Sequence, residues 1–118
     1  AAAQRTSDRA LEARATAAIG EIYRSLWIPQ RALDHFERAI ALFAEGGSSA
    51  DVSRCASEMG LLHFRRGDPT SALKCLEEAL SVSVRAGLGT LEAEATGRIG
   101  SVHAAQGDHT QARAHYER

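Results

Sequence analysis

Asparagine is absent from the 118 residues, lysine occurs once, at Lys74, and cysteine and proline occur twice each. Arginine therefore carries nearly all the positive charge. The 14 basic and 15 acidic residues leave a net charge of −1 and a pI near 6.6. With no basic field to gather phosphates, a nucleic-acid partner is not expected. Long apolar runs are missing as well. The longest, Ala39 to Ala44, falls far short of the ~18 residues that a spanning helix needs, and no signal-peptide pattern precedes it. Membrane attachment is therefore not expected. Cys55 and Cys75 are too few for the disulfide framework of a small secreted domain. They read as buried or half-buried thiols in a reducing compartment, which makes a cytoplasmic setting the expectation.

What is present is a repeat. Residues 44% apolar by composition suit one folded unit rather than a disordered segment. The stretch from Met59 to Leu80 recurs at a shift of 40. Gly60, Ala72, Leu76 and Ala79 fall on Gly20, Ala32, Phe36 and Ala39 behind, and the first three fall on Gly100, Ala112 and Tyr116 ahead. A fixed period of this length marks a repeat architecture. Within the stretch, apolar residues at helical spacing flank Gly67-Asp68-Pro69. Gly67 suits a positive φ where one helix stops, Asp68 suits a cap, and Pro69 suits the first helical position. Two helices joined by a tight turn follow. A mid-helix glycine costs roughly 1 kcal/mol against alanine, so glycine at 20, 60 and 100 implies close helix packing.

The expected helices run over about residues 8–26, 29–45, 49–66, 69–86 and 90–106, with Thr6, Ser7 and Asp8 as candidate caps for the first. The second buries Ala32, Leu33, Phe36, Ala39, Ile40 and Phe43, with Asp34 and Arg38 as an outward i, i+4 pair. Ser48 with Asp51 reads as a capping box. Gly107-Asp108-His109 is expected to turn the chain into a sixth helix, capped by Asp108 and cut short by the last residue. The first turn, Trp27-Ile28-Pro29, lacks the Gly-Asp pair; Trp27 is expected to plug the end of the array, with a binding anchor as the other reading, since tryptophan is enriched at interaction hot spots.

Chemistry leaves little signal. His35, Cys75 and His115 are equivalent positions in successive copies, as are Tyr23, His63 and His103. Equivalent positions lie two helices apart at ~8–10 Å per helix, whereas zinc ligands converge at ~2.0–2.3 Å from one ion. His63 and His103 are expected to fill an aromatic's place. No CxxC, HExxH or phosphate-loop pattern occurs. The expectation is no metal, no cofactor and no catalytic residue.

These residues resemble the tetratricopeptide repeat, through Ile19, Gly20, Tyr23, Ala32, Phe36 and Ala39, then Met59, Gly60, Ala72, Leu76 and Ala79, then Ile99, Gly100, Ala112 and Tyr116. The period of 40 is similar to a long-helix subtype of that family. HEAT repeats share the period, but the glycine and paired alanines favour the tetratricopeptide reading. The resemblance implies an all-α, right-handed α-solenoid of helical hairpins, one domain with repeats at about 13–52, 53–92 and 93–118, the third truncated. It implies a non-catalytic module that binds a protein or peptide on the concave face formed by the first helix of each hairpin.

On that face the resemblance places Arg14, Glu21, Arg24, Arg54, Glu58, Leu61, Phe64, Arg65, Arg98 and Ser101 as partner-binding residues. Arginines there suit the acidic groups of an extended or helical peptide, and Leu61 and Phe64 offer an apolar foothold. Mutual neutralisation of the Arg and Glu residues across helices is the bland alternative. The family's Lys and Asn carboxylate clamp does not carry over, since its places hold Ala17 and Glu21, Ser57 and Leu61, Gly97 and Ser101. The other expected role is a structural or regulatory segment of a larger scaffold or signalling regulator, self-associating through the open C-terminal end.

Overall fold

Four residues spaced 20 apart end four helices of the computed structural model, which describes residues 2–116 and the side chains of residues 4–107. Trp27, Gly47, Gly67 and Gly87 have φ of 54°, 74°, 79° and 70°. Each lies just past a helix, where its N–H bonds the carbonyl of Arg24, Ala44, Phe64 or Val84. The following amide reaches one residue further back: Ile28 to Tyr23, Ser48 to Phe43, Asp68 to His63 and Leu88 to Ser83, at 2.8–2.9 Å. This paired closure is the Schellman motif. It delimits α1 (Ala2–Ser25), α2 (Pro29–Glu45), α3 (Ser49–Arg65), α4 (Pro69–Arg85) and α5 (Gly89–Tyr116).

The starts follow from the local sequence too. Pro29 and Pro69 occupy the first positions of α2 and α4, where the missing N–H has no partner to lose. Asp68 accepts a hydrogen bond from the Ser71 amide at 3.1 Å. Bonds from Ser71 hold its carboxyl below the usual carboxylate range, with His63 and Arg66 adding to the effect. Ser48 and Asp51 do meet, but as a side-chain pair with the hydroxyl donating to the carboxylate at 2.5 Å. The helix amides take no side-chain cap there.

Helices α1, α3 and α5 form one layer and α2 and α4 the other, giving an α-solenoid. A core of Ala13, Leu33, Phe36, Phe43, Cys55 and Leu62 joins the first three helices. Ala56, Ala79 and Ala95 let α3, α4 and α5 approach closely. Leu76 and Val102 fill the far end, with Phe64 packed against them. Ser53, buried in α3, donates to the Ala79 carbonyl at 3.0 Å, which satisfies its hydroxyl across the close contact. The glycines show how tight the packing is. A Cβ at Gly60 would stand 2.6 Å from Leu76 Cγ and 3.2 Å from the Ala72 carbonyl, and one at Gly20 would stand 3.1 Å from the Phe36 ring.

Several expectations are corrected. The helix expected from residue 8 begins earlier, so Thr6, Ser7 and Asp8 lie inside α1 and cap nothing at its start. No turn forms at Gly107-Asp108-His109, because α5 runs unbroken to Tyr116. Extending a helix adds one hydrogen bond per residue fixed, while turning back is favoured by packing of the return helix. Nothing lies within 4 Å of a Cβ at Gly100 as a result. Ala112, His115 and Tyr116 lie outside the described side chains. Arg38 reaches across to Glu12 at 2.8 Å rather than pairing with Asp34, which accepts from Gln30. Trp27 does not plug the end; it stays about half exposed.

Gly60→Ala is expected to destabilise the fold by about 1–3 kcal/mol through overpacking, while Gly100→Ala stabilises it by up to about 1 kcal/mol. Chemical denaturation of both variants checks the opposite signs. At Trp27, both Gly and Ala remove the indole, but only Gly relieves the left-handed conformation. Trp27→Gly should therefore exceed Trp27→Ala in stability by about 1 kcal/mol, read from the same denaturation curves.

Candidate functional site

The layer of α1, α3 and α5 carries one ladder of charge. Glu21 and Arg24 sit one turn apart on α1, with Arg24 Nη2 2.8 Å from Glu21 Oε2. Arg24 Nε then faces Glu58 Oε2 of α3 at 3.2 Å. The two atoms are buried and out of hydrogen-bonding line, so charge alone joins them. The other Glu58 oxygen lies 3.6 Å from Arg98 Nη1 of α5. Arg98 in turn binds Glu94 at 2.9 Å and donates to the buried Ser57 hydroxyl at 2.9 Å. Glu58 is thus held between two guanidinium groups from neighbouring helices. The hydrogen bond to Glu21 raises the Arg24 pKa against the opposing effect of burial, and the charges of Glu21 and Glu58 raise it further.

This ladder is the neutralised arrangement, with Arg24 and Arg98 engaged by protein carboxylates. The other named residues divide around it. Arg54 is exposed and makes a short-range pair with Asp51 at 3.2 Å, of the kind worth a few tenths of a kcal/mol, roughly. Arg14 and Arg65 are exposed on the same layer. Leu61 is half-buried, and Ser101 is exposed with its hydroxyl turned to the Gly97 carbonyl. Phe64, expected as an apolar foothold, is half-buried and packs against the Ala72, Leu76 and Val102 cluster. Its aromatic surface is largely accounted for by the fold.

A cleft that the sequence reading missed opens between α1 and the α2–α3 corner. It holds about 420 Å³ and is lined by Ala10, Ala13, Arg14, Phe43, Glu45 and Asp51, among others. A smaller recess of about 190 Å³ shares Arg14, Phe43 and Asp51 and leads on to Arg54 and Glu58. The signal was present in α1. Thr6, Ala10 and Ala13 are small at i, i+4 and i+7, the spacing of one helix face, opposite a phenylalanine assigned wholly to the core.

The remaining reactive groups are inert or scattered. Cys55 and Cys75 are free thiols, buried and half-buried, as expected. Burial above all, helped by Asp51, Glu21 and Glu58, pushes the Cys55 pKa up to about 12. Burial also raises Cys75. Tyr23 and His35 rings meet at 5.2 Å. His63 is half-buried, 4.0 Å from Asp68, while His103 is exposed and fills no aromatic's place. Among the described residues no three His, Cys, Asp or Glu side chains gather as metal ligands. No described helix is long and apolar enough to cross a membrane.

A family model for the tetratricopeptide repeat matches residues 51–118, more than half of the chain. The chain belongs to the tetratricopeptide repeat family. Its fold agrees with that of the crystal structure of the TPR domain of Arabidopsis FLU, at a TM-score of 0.78 and 21% identity, covering 92% of each chain. No curated protein matches. Tetratricopeptide repeats are in general protein–protein interaction scaffolds without catalytic function.

Removing the central carboxylate leaves Arg24 and Arg98 facing each other without their shared counter-charge. Glu58→Ala should cost about 1–2 kcal/mol. The cost should fall in the Glu58→Ala/Arg98→Ala double variant, a coupling that a double-mutant cycle of unfolding free energies measures.

Proposed function

We propose that this tetratricopeptide array is a non-catalytic interaction module, an adaptor or scaffold element, that holds an acidic peptide or partner helix on its concave face. The observation that carries the reading is the gathering of Arg14, Glu21, Arg24, Arg54, Glu58, Leu61, Arg65, Arg98 and Ser101 along one layer of parallel first helices. A cleft floored by Phe43 adjoins it. Arg14, Arg54 and Arg65 are the outer, solvent-facing arginines, and a ligand carboxylate there gains charge-assisted hydrogen bonds. Arg24 and Arg98 serve instead to fix the floor of the trough through Glu58. The Phe64 edge contributes packing more than contact.

The finer features of the reading belong together. The 20-residue spacing of the left-handed residues supports the long 40-residue repeat subtype, with repeats at about 13–52, 53–92 and 93–118 in one domain. The near-neutral charge favours a protein partner over nucleic acid, and the buried thiols fit a cytoplasmic setting. A second reading has its own observation: the open face of α5 around Gly100 supports a self-association segment of a larger scaffold or signalling regulator.

The test is a screen of extended and helical peptides rich in Asp and Glu by fluorescence polarisation. Arg54→Glu/Arg65→Glu avoids the ladder, so its melting curve should match that of the wild type. Loss of at least ~10-fold in affinity is the expected outcome. Unaltered affinity in the folded variant rules out the arginine-edged groove.

A further inference from the structure

The two grooves in the layer of α1, α3 and α5 are built on equivalent positions but filled differently. At a shift of 40, Ala17 falls on Ser57, Phe43 on Ser83 and Glu58 on Arg98. Between α3 and α5, Arg98 spans the groove, donating to the Ser57 hydroxyl at 2.9 Å and facing Glu58 at 3.6 Å. Between α1 and α3 the same places hold Ala17, which has no hydroxyl to offer, and Glu58, which is drawn to Arg24 instead. At the base, Phe43 stands where the second groove has the smaller Ser83. Accordingly α5 packs directly against α3, whereas α1 stays further from it. The gap is the recess of about 190 Å³ bounded by Arg14, Ala17, Phe43 and Cys55, which continues the larger cleft along α1. It lies on the side of α1 turned into the array, where Ala13 is 1% exposed, and its walls come from α1, α2 and α3.

The charges around this hollow are matched except for one. Glu45 is held by Arg9 at 2.6 Å, Asp51 by Arg54 at 3.2 Å and by the Ser48 hydroxyl, and Glu21 and Glu58 by Arg24. Arg14 lines both the cleft and the recess and has no ion-pair partner among the described residues. An apolar hollow with one uncompensated guanidinium at its edge fits a large apolar group that carries a carboxylate beside it. Building on the concave-face reading, we propose that this is where the acidic peptide is anchored. A phenylalanine of the peptide sits against Phe43 and among Ala10, Ala13 and Ala17, and the aspartate or glutamate next to it binds Arg14. The three alanines leave the space to the incoming ring, and Phe43 gives it an aromatic wall to pack against offset or edge-on. In the second groove Arg98 lies across the equivalent place, so the peptide has a single anchoring register.

Two titrations test this. Hydrocinnamate, a phenyl ring on a short carboxylate, should shift the backbone amide resonances around Ala10, Arg14 and Phe43, and phenethylamine, the same ring with the opposite charge, should not. Arg14→Gln should weaken hydrocinnamate by at least ~5-fold. In fluorescence polarisation, exchanging the one phenylalanine of an acidic peptide for alanine should cost at least ~10-fold in affinity. Ala10→Phe fills the cleft from an exposed position, so it should cost the phenylalanine peptide as much while keeping the helical circular-dichroism signal. Hydrocinnamate that leaves those amides unmoved overturns the proposal, and so does a peptide affinity indifferent to the phenylalanine. The arginine edge fails separately. Binding lost in Ala10→Phe but kept in Arg54→Glu/Arg65→Glu upholds the anchor and removes the edge; the reverse pattern overturns the anchor and leaves the edge standing.

Discussion

Every helix boundary inside the array rests on one residue in the left-handed conformation, and the spacing of those residues sets the rest. Seventeen helical residues and three connecting ones return the chain to the same phase every 20 residues. Because α2, α3 and α4 are equal in length, the small residues at Gly20, Ala32 and Ala39 recur at Gly60, Ala72 and Ala79 at matching heights. Close approach follows from that register. A shift of one residue at a turn would rotate the next helix by about 100° and carry its alanines off the contact. Glycine holds three of the four positions at little conformational cost, and Trp27 holds the fourth against its steric preference.

The same register produces the ladder. Ala18, Glu58 and Arg98 are one column of the repeat, and Ala17, Ser57 and Gly97 another. Small residues in the second column let Arg98 lie over Ser57 toward Glu58, and Arg24 reaches the same carboxylate from the other side. Glu58 is therefore shared by two arginines, and each arginine has a second carboxylate on its own helix. Half-buried charges are costly unless paired. The alternation of sign across three helices resolves that cost and braces α1, α3 and α5 against sliding past one another.

Much of this was legible in the sequence, and the reasons for the misses are local. The glycines, the prolines and the 40-residue period placed α2, α3 and α4 to within a residue of their observed ends, since each signal acts through its own backbone. Gly107 fits the same series yet stays helical, because a glycine permits a turn without requiring one. Packing of a returning helix decides, and that is a property of residues distant from Gly107. Arg38 with Glu12, and Phe64 with Val102, were missed for a related reason. Both are contacts between residues on different helices, whereas i, i+4 spacing reports only neighbours on one helix. The charge ladder was visible as a list of Arg and Glu on one face, but which carboxylate each arginine takes depends on how α1, α3 and α5 are spaced.

The two ends of the array differ in what they leave open, and the difference follows from the order of helices. Interior first helices have two apolar faces, one toward their own return helix and one toward the return helix before. α1 meets the former and leaves the latter open, so Gly20 is closed in and Ile22 is bare. α5 does the reverse, with Val102 covered and Gly100 bare. The exposed surfaces are nonetheless unlike. Around Gly100 lie Ala93, Gly97 and Ala104, which bury little area against any partner, while Leu11, Ile19, Ile22 and Leu26 on α1 are large. Burial of aliphatic surface contributes roughly 25 cal/mol per Å², so covering the α1 stripe contributes more than covering the face around Gly100. The α5 end gains mainly from the close backbone approach that its small residues allow, and that requires a helix already shaped to fit.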